Sequence, residues 1–158
     1  MASDVDPNPF DLAVRPGFLI RRLHQIHLAL FMAECAEFDV TSVQYSILTA
    51  VQAHPGLDQV RLGETVGMDR ATLANVLARL EARELVRRRA SPTDKRLRLV
   101  MPTAKAAKLL TAMEPGARRA HERTIEGLRP GERGEFIATL ARLVEAGNGH
   151  GRAALRLK

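Results

Sequence analysis

Cysteine, tyrosine and tryptophan are almost missing from this chain. Of its 158 residues one is cysteine (Cys35), one is tyrosine (Tyr45) and none is tryptophan, and aromatics make up 4%. A lone thiol excludes an intramolecular disulfide and suits a reducing, cytoplasmic setting. With so few rings the core must be built from Leu, Val, Ala, Ile and Met, which favours packed helices over aromatic-rich strands. No stretch of about 18 apolar residues is present, so no membrane span is expected. Residues 1–9 lack the basic-then-apolar order of a signal peptide. Also missing are a phosphate-cradling Gly-rich loop, zinc-ligand spacing and a nucleophile in a recognisable setting, since Ser42, Ser46 and Ser91 have no evident His or acid partner. Neither an enzyme nor a cofactor is expected.

What the chain has is an ordinary globular balance, 46% hydrophobic and 27% charged, of a size for one domain. Its 24 Lys and Arg against 18 Asp and Glu leave +6. A basic surplus is the footprint of a nucleic-acid binder when it is concentrated. Here it is: residues 83–98 hold seven basic side chains against two acidic ones, a local +5.

The hydrophobic spacing predicts where that segment falls. A first helix over 17–38 carries two adjacent stripes, Leu19, Leu23, Ile26 and Leu30 beside Ile20, His24, His27 and Phe31. So wide an apolar face calls for more than one neighbour, which hints at a helix shared between subunits. Thr41 or Ser42 caps a second helix, ended by His54-Pro55-Gly56. Asp58 caps a short third helix closed by Gly67, and Asp69 caps a fourth over about 70–83, with Leu73, Val76, Leu77 and Leu80 inward. Two short helices about a Gly-containing turn are a helix-turn-helix pattern. Strands over 85–90 and 97–101, joined at Ser91-Pro92-Thr93-Asp94, make a basic β-hairpin directly after it, which is a wing. Thr103 caps a long helix to about Gly127, with a kink expected at Pro115-Gly116. Pro130 opens a last helix carrying Phe136, Ile137, Leu140, Leu143 and Val144 inward. Residues 1–16 and 147–158 read as flexible arms. The expected fold is mainly α with a small β wing: a winged helix-turn-helix over 41–102, flanked by dimerisation helices over 17–38 and 103–146.

The run Met68-Asp69-Arg70-Ala71-Thr72-Leu73, the run Leu80-Glu81-Ala82-Arg83-Glu84-Leu85-Val86-Arg87-Arg88, the tip Ser91-Pro92-Thr93-Asp94-Lys95-Arg96 and the closing Val100-Met101-Pro102-Thr103 resemble the MarR family of winged-helix regulators. The resemblance spans residues 17–146. Glu84 stands where that pattern usually has glycine, and Asn75 where a longer polar or basic residue is common. The stretch from Pro16 to His27 looks like regulators of aromatic-acid breakdown, those of nicotinic-acid catabolism above all.

The implied partner is double-stranded DNA. On the fourth helix Thr72 and Asn75 face outward for base edges, Asn being suited to adenine, while Arg70 and Arg79 suit phosphate. Arg88, Lys95 and Arg96 supply the wing's charge, and a narrow minor groove attracts such cations. Asp94 is better read as orienting Arg96 and capping the turn than as a DNA ligand. Arginine runs are usually only solvated surface, and Asn75 alone could be an ordinary exposed residue. Placement on a wing is what favours contact. Apolar surface left on the first and last helices implies a homodimer facing a pseudo-palindrome. The resemblance further implies a small-molecule site between the dimerisation helices and the winged domain. For an aromatic acid effector the candidates are Arg21, His24, His27 and Tyr45, though the histidines could equally be packed at a subunit interface. Non-specific architectural binding, and sensing of metal or of oxidant through Cys35, are the competing readings.

Overall fold

The computed structural model describes residues 10–151 and Leu155. Helix α1 (Pro16–Glu34) follows a short 3-10 turn (Leu12–Val14) and leads through a second (Ala36–Phe38) to α2 (Ser42–Ala53). Then come β1 (Leu57–Asp58), α3 (Gln59–Val66), α4 (Arg70–Ala82), β2 (Val86–Ala90), β3 (Arg98–Pro102), α5 (Ala104–Thr124) and α6 (Pro130–Gly147), with a last 3-10 turn at Asn148–His150. The expected flexible arms lie partly outside the described residues. Within them, Asp11 caps the first 3-10 turn, and the Asn148 side-chain amide bonds both backbone groups of Leu155.

Local chemistry accounts for the helix boundaries. The Thr41 hydroxyl accepts from the Gln44 amide while the Gln44 side chain accepts from the Thr41 amide, a reciprocal capping box. Asp58 accepts from Val60 and Arg61, Asp69 from Thr72, and Thr103 from Ala106. Gly67 ends α3 at φ 66°, which glycine adopts without penalty. The first helix is shorter than its apolar pattern suggests: it stops at Glu34, and Asp39 at φ 50° turns the chain toward α2. Helix α5 runs through Pro115 and ends at Thr124 rather than at Gly127.

The wing is a three-stranded antiparallel sheet of order β1-β3-β2, with Arg88 opposite Val100 and Leu57 on the other side of Val100. The two-residue β1 was not expected, because so short a strand carries no periodicity. One buried cluster holds the winged half together: Ile47, Leu48, Val51, Leu62, Leu73, Leu77, Leu80, Leu85, Val86, Val100 and Ala106. A second, around Phe31, Cys35, Val40, Met113, Ala117 and Ala120, joins α1 to α5. Of the α1 stripes only Phe31 is buried, and α6 buries no residue within the chain. Its apolar side chains, expected to face inward, are exposed or half-exposed. No helix among the described residues is long and apolar enough to cross a membrane.

Glu84, the departure noted above, sits at φ 59° just after α4. That left-handed conformation costs a side-chain-bearing residue about 1–2 kcal/mol, and the exposed Lys105–Glu84 ion pair at 3.6 Å returns little. Glu84→Gly should therefore stabilise the fold by about 0.5–1 kcal/mol after glycine's extra unfolded-state entropy is subtracted. A rise in the urea midpoint at unchanged slope is the expected result; a fall would refute the backbone argument.

Candidate nucleic-acid interface

Helices α3 and α4 meet at a tight turn, and the amphipathic pattern of α4 decides which side chains remain outside. Leu73, Leu77 and Leu80 are buried, which leaves Arg70, Thr72, Asn75 and Arg79 exposed. The Asp69 carboxylate accepts both from the Thr72 amide (3.0 Å) and from its hydroxyl (2.7 Å). With its proton so engaged, the Thr72 hydroxyl can only accept from a base, and its methyl is free for apolar contact. Asn75 keeps donor and acceptor together, as adenine requires. Among the described residues, no ion pair or side-chain hydrogen bond engages the guanidinium of Arg70 or Arg79.

The wing tip is built by two short acceptors. Ser91, buried at 6% exposure, accepts from the amides of Thr93 and Asp94, and Asp94 accepts from the Arg96 amide at 2.9 Å. Asp94 thus caps the turn, as expected, but its bond goes to the Arg96 backbone and not to the guanidinium. Lys95 and Arg96 are exposed. Arg88 departs from the expectation. Its Nε and Nη2 donate to Glu81 Oε2 at 2.8 and 2.6 Å, and its amide donates to Oε1 at 3.0 Å. Strand β2 runs beside α4, so Arg88 is drawn into bracing the wing against that helix rather than projecting from it. The Arg88 hydrogen bonds hold the Glu81 carboxyl below its ordinary range.

Behind this surface lies a cavity of about 470 Å³ between α1 and α5 on one side and α2 and α3 on the other. His27, Phe31, Tyr45, His54, Val66 and His121 are among its walls. His27 stacks on His121 with ring centroids 4.9 Å apart, and Phe31 lies 5.4 Å from Tyr45. The Thr124 hydroxyl lies 2.8 Å from His27 Nδ1 and donates to the Ala120 carbonyl at 2.7 Å, so Nδ1 is the donor of that pair and Nε2 carries the lone pair of neutral His27. Burial first, then the neighbouring His121 and His24, pushes the His27 pKa down. Burial likewise raises the Tyr45 phenol and the Cys35 thiol. The structure brings His27 and Tyr45 to the cavity. It leaves His24 and Arg21 on the exposed side of α1, the latter 5.4 Å from the Phe18 ring.

The MarR-family model matches residues 38–97. Over 145 residues the chain is 32% identical to the transcriptional repressor NicR of Pseudomonas putida, covering 92% of both. This protein belongs to the MarR family. Its structure superposes with a TM-score of 0.82 on Bordetella bronchiseptica BpsR, whose DNA binding is regulated by 6-hydroxynicotinic acid (29% identity; 87% of this chain, 99% of that one). On the repressor CouR bound to a 23-mer DNA duplex the TM-score is 0.80 (28% identity; 87% and 97%). The matched relatives are transcription regulators, and this MarR-family chain is a DNA-binding transcription regulator rather than an enzyme.

For this MarR-family protein His121 and His54 were missed as cavity groups, and Thr124 as the partner of His27. His121 lies 94 positions from His27, and only the α1–α5 packing joins them. The Glu81–Arg88 brace is testable by pH. A carboxyl held below its unfolded pKa binds fewer protons when folded, so its contribution is full above the unfolded value, near 4.5, and is lost as pH falls through the lower folded one. Glu81→Gln should cost at most about 1 kcal/mol at pH 7, the pair being about one-third exposed. The gap to wild type should close on acidification below pH 4.5. A gap independent of pH would rule the brace out.

Proposed function

We propose that this protein is a cytoplasmic homodimeric repressor that binds a pseudo-palindromic operator and is released by a small aromatic acid. The observation that carries the reading is the cavity's position: its walls come from both the α1/α5 pair and the winged half, so an occupant bears on their relative placement. In this reading residues 41–102 bind DNA and residues 17–38 and 103–146 form the dimer. Exposed Leu19 and Ile20 on α1, with Ile137, Leu143 and Val144 on α6, supply the apolar surface. Such a surface is costly on a monomer and useful between two copies.

Arg70 and Arg79 hold phosphate, Thr72 and Asn75 read bases, and Lys95 and Arg96 reach the minor groove while Asp94 keeps the tip folded. Arg88 serves as a brace and is not given a DNA contact. The effector lies against His27 and Tyr45, with protonated His27 donating to a carboxylate or neutral Nε2 accepting from a ring hydroxyl. His24 and Arg21 stand about one and two turns back on α1, at the approach. The regulation of BpsR's DNA binding by 6-hydroxynicotinic acid supports a hydroxylated aromatic acid. Cys35 is a poor oxidant sensor, being buried with its pKa raised.

Fluorescence anisotropy on the DNA upstream of the protein's own gene, against random duplex, tests this with and without 6-hydroxynicotinic acid. Selective binding weakened by the acid is expected, and binding without sequence preference would favour an architectural role. Asn75→Ala should cost about 1–3 kcal/mol on the preferred duplex and relax its preference. Arg96→Ala should weaken all duplexes alike and lower the salt slope by about one. Sedimentation should give a dimer for the wild type and a monomer for Leu143→Asp; a monomeric wild type would refute the dimer.

A further inference from the structure

The C-terminal end of α4 is where the recognition helix meets both dimerisation elements through hydrogen bonds. From the α5 side, Lys105 Nζ donates to the Arg83 carbonyl at 2.9 Å, and the Thr103 hydroxyl is shared between the carbonyls of Glu84 (2.8 Å) and Leu85 (3.2 Å). From the α1 side there is, among the described residues, one tie. Arg83, the C-terminal cap of α4, sends Nη1 to the Asp39 carbonyl at 2.7 Å and Nη2 toward the Phe38 carbonyl at 3.4 Å. Phe38 and Asp39 belong to the connector between α1 and α2, and Asp39 is at φ 50°, which presents its carbonyl to the guanidinium in a sharp turn.

The other end of that connector is anchored to α5. Glu34 accepts from Arg119 at 2.7 Å and Arg123 at 2.9 Å, and a Cβ at Gly116 would lie 2.6 Å from the Glu34 carbonyl oxygen. The end of α1 and the middle of α5 therefore move as one body. This body carries His27, Phe31 and His121 of the cavity, whereas Tyr45 and Val66 belong to the winged half. An occupant that shifts the two walls strains the connector, and the connector is in the grip of Arg83.

We propose that Arg83 is the positioning residue through which the α1/α5 body and the recognition helix sense each other. A cation on two carbonyls makes a short charge-assisted tie that transmits displacement, where an apolar contact would slide. Without the guanidinium the connector can move while α4 stays. The tie itself does not depend on an effector. Its regulatory use rests on the aromatic-acid reading above.

Hydrogen exchange of the full chain, free and on its upstream duplex, tests the tie without an effector. In the wild type, DNA should slow exchange at residues 35–41 as well as over α4. In Arg83→Gln the slowing at 35–41 should vanish while that over α4 remains, and Arg83→Lys, which keeps the cation, should restore it. The second arm adds 6-hydroxynicotinic acid. The acid should weaken wild-type DNA binding by about tenfold and the Gln variant's by less than about threefold, with its affinity for DNA-free protein unchanged. A merely structural arginine would lower Tm and leave both ratios intact. Retained slowing at 35–41 in Arg83→Gln overturns the proposal. If the acid fails to bind the wild type, the effector reading falls and the exchange arm decides on Arg83 by itself.

Discussion

Helices α1 and α5 cross with their backbones nearly touching, at a place where only glycine fits. A Cβ on Gly116 would stand 2.6 Å from the Glu34 carbonyl oxygen and 3.2 Å from the Cys35 sulfur. The rest of the molecule is arranged about that crossing. It buries Phe31, Cys35, Met113, Ala117 and Ala120, and it stacks His27 on His121 at one edge of a cavity. Two arginines of α5 close the crossing on the Glu34 carboxylate, lowering its pKa through their hydrogen bonds. Both arginines are about half exposed, so the ion pairs add modestly. Close packing of small residues does most of the holding.

The winged half is stiffened separately, by a core of Leu, Ile and Val and by Thr and Asp caps at the starts of α2, α3 and α4. Its candidate DNA face is distinguished by the cations that no carboxylate takes among the described residues. Glu81 takes Arg88, and Asp69 takes the Thr72 hydroxyl, while Arg70, Arg79, Lys95 and Arg96 are left exposed on one helix and one wing tip. Desolvation is cheap for such cations when phosphate replaces water, and the counterions they release add entropy. The same residue type is thus divided between brace and exposed cation according to whether a carboxylate stands within reach.

Periodicity and capping were enough to reveal most of the fold. The caps at Thr41, Asp58, Asp69 and Thr103, the glycine stop at Gly67 and the Pro130 start all stand where the side-chain chemistry implied. These signals act over three or four residues and need no tertiary partner. The two-residue β1 escaped, since its existence depends on pairing with β3 and not on its own composition. The length of α1 was overread because apolar residues continue past Glu34, where the chain has already turned into the connector. Pattern alone also turned α6 inward, although among the described residues it buries none of its side chains fully.

By itself, then, the sequence determined the order of helices, the basic wing, the outward set on α4 and, through the residues shared with its family, the class of protein. Only the tertiary structure decided which arginine braces and which projects, that Glu84 occupies a left-handed position, and that His27 finds His121 and Thr124 on another helix. The physical reason is range. Caps, turns and amphipathic faces are written in neighbours a few residues apart, whereas a salt bridge, a ring stack or a cavity wall depends on where two distant segments are packed together.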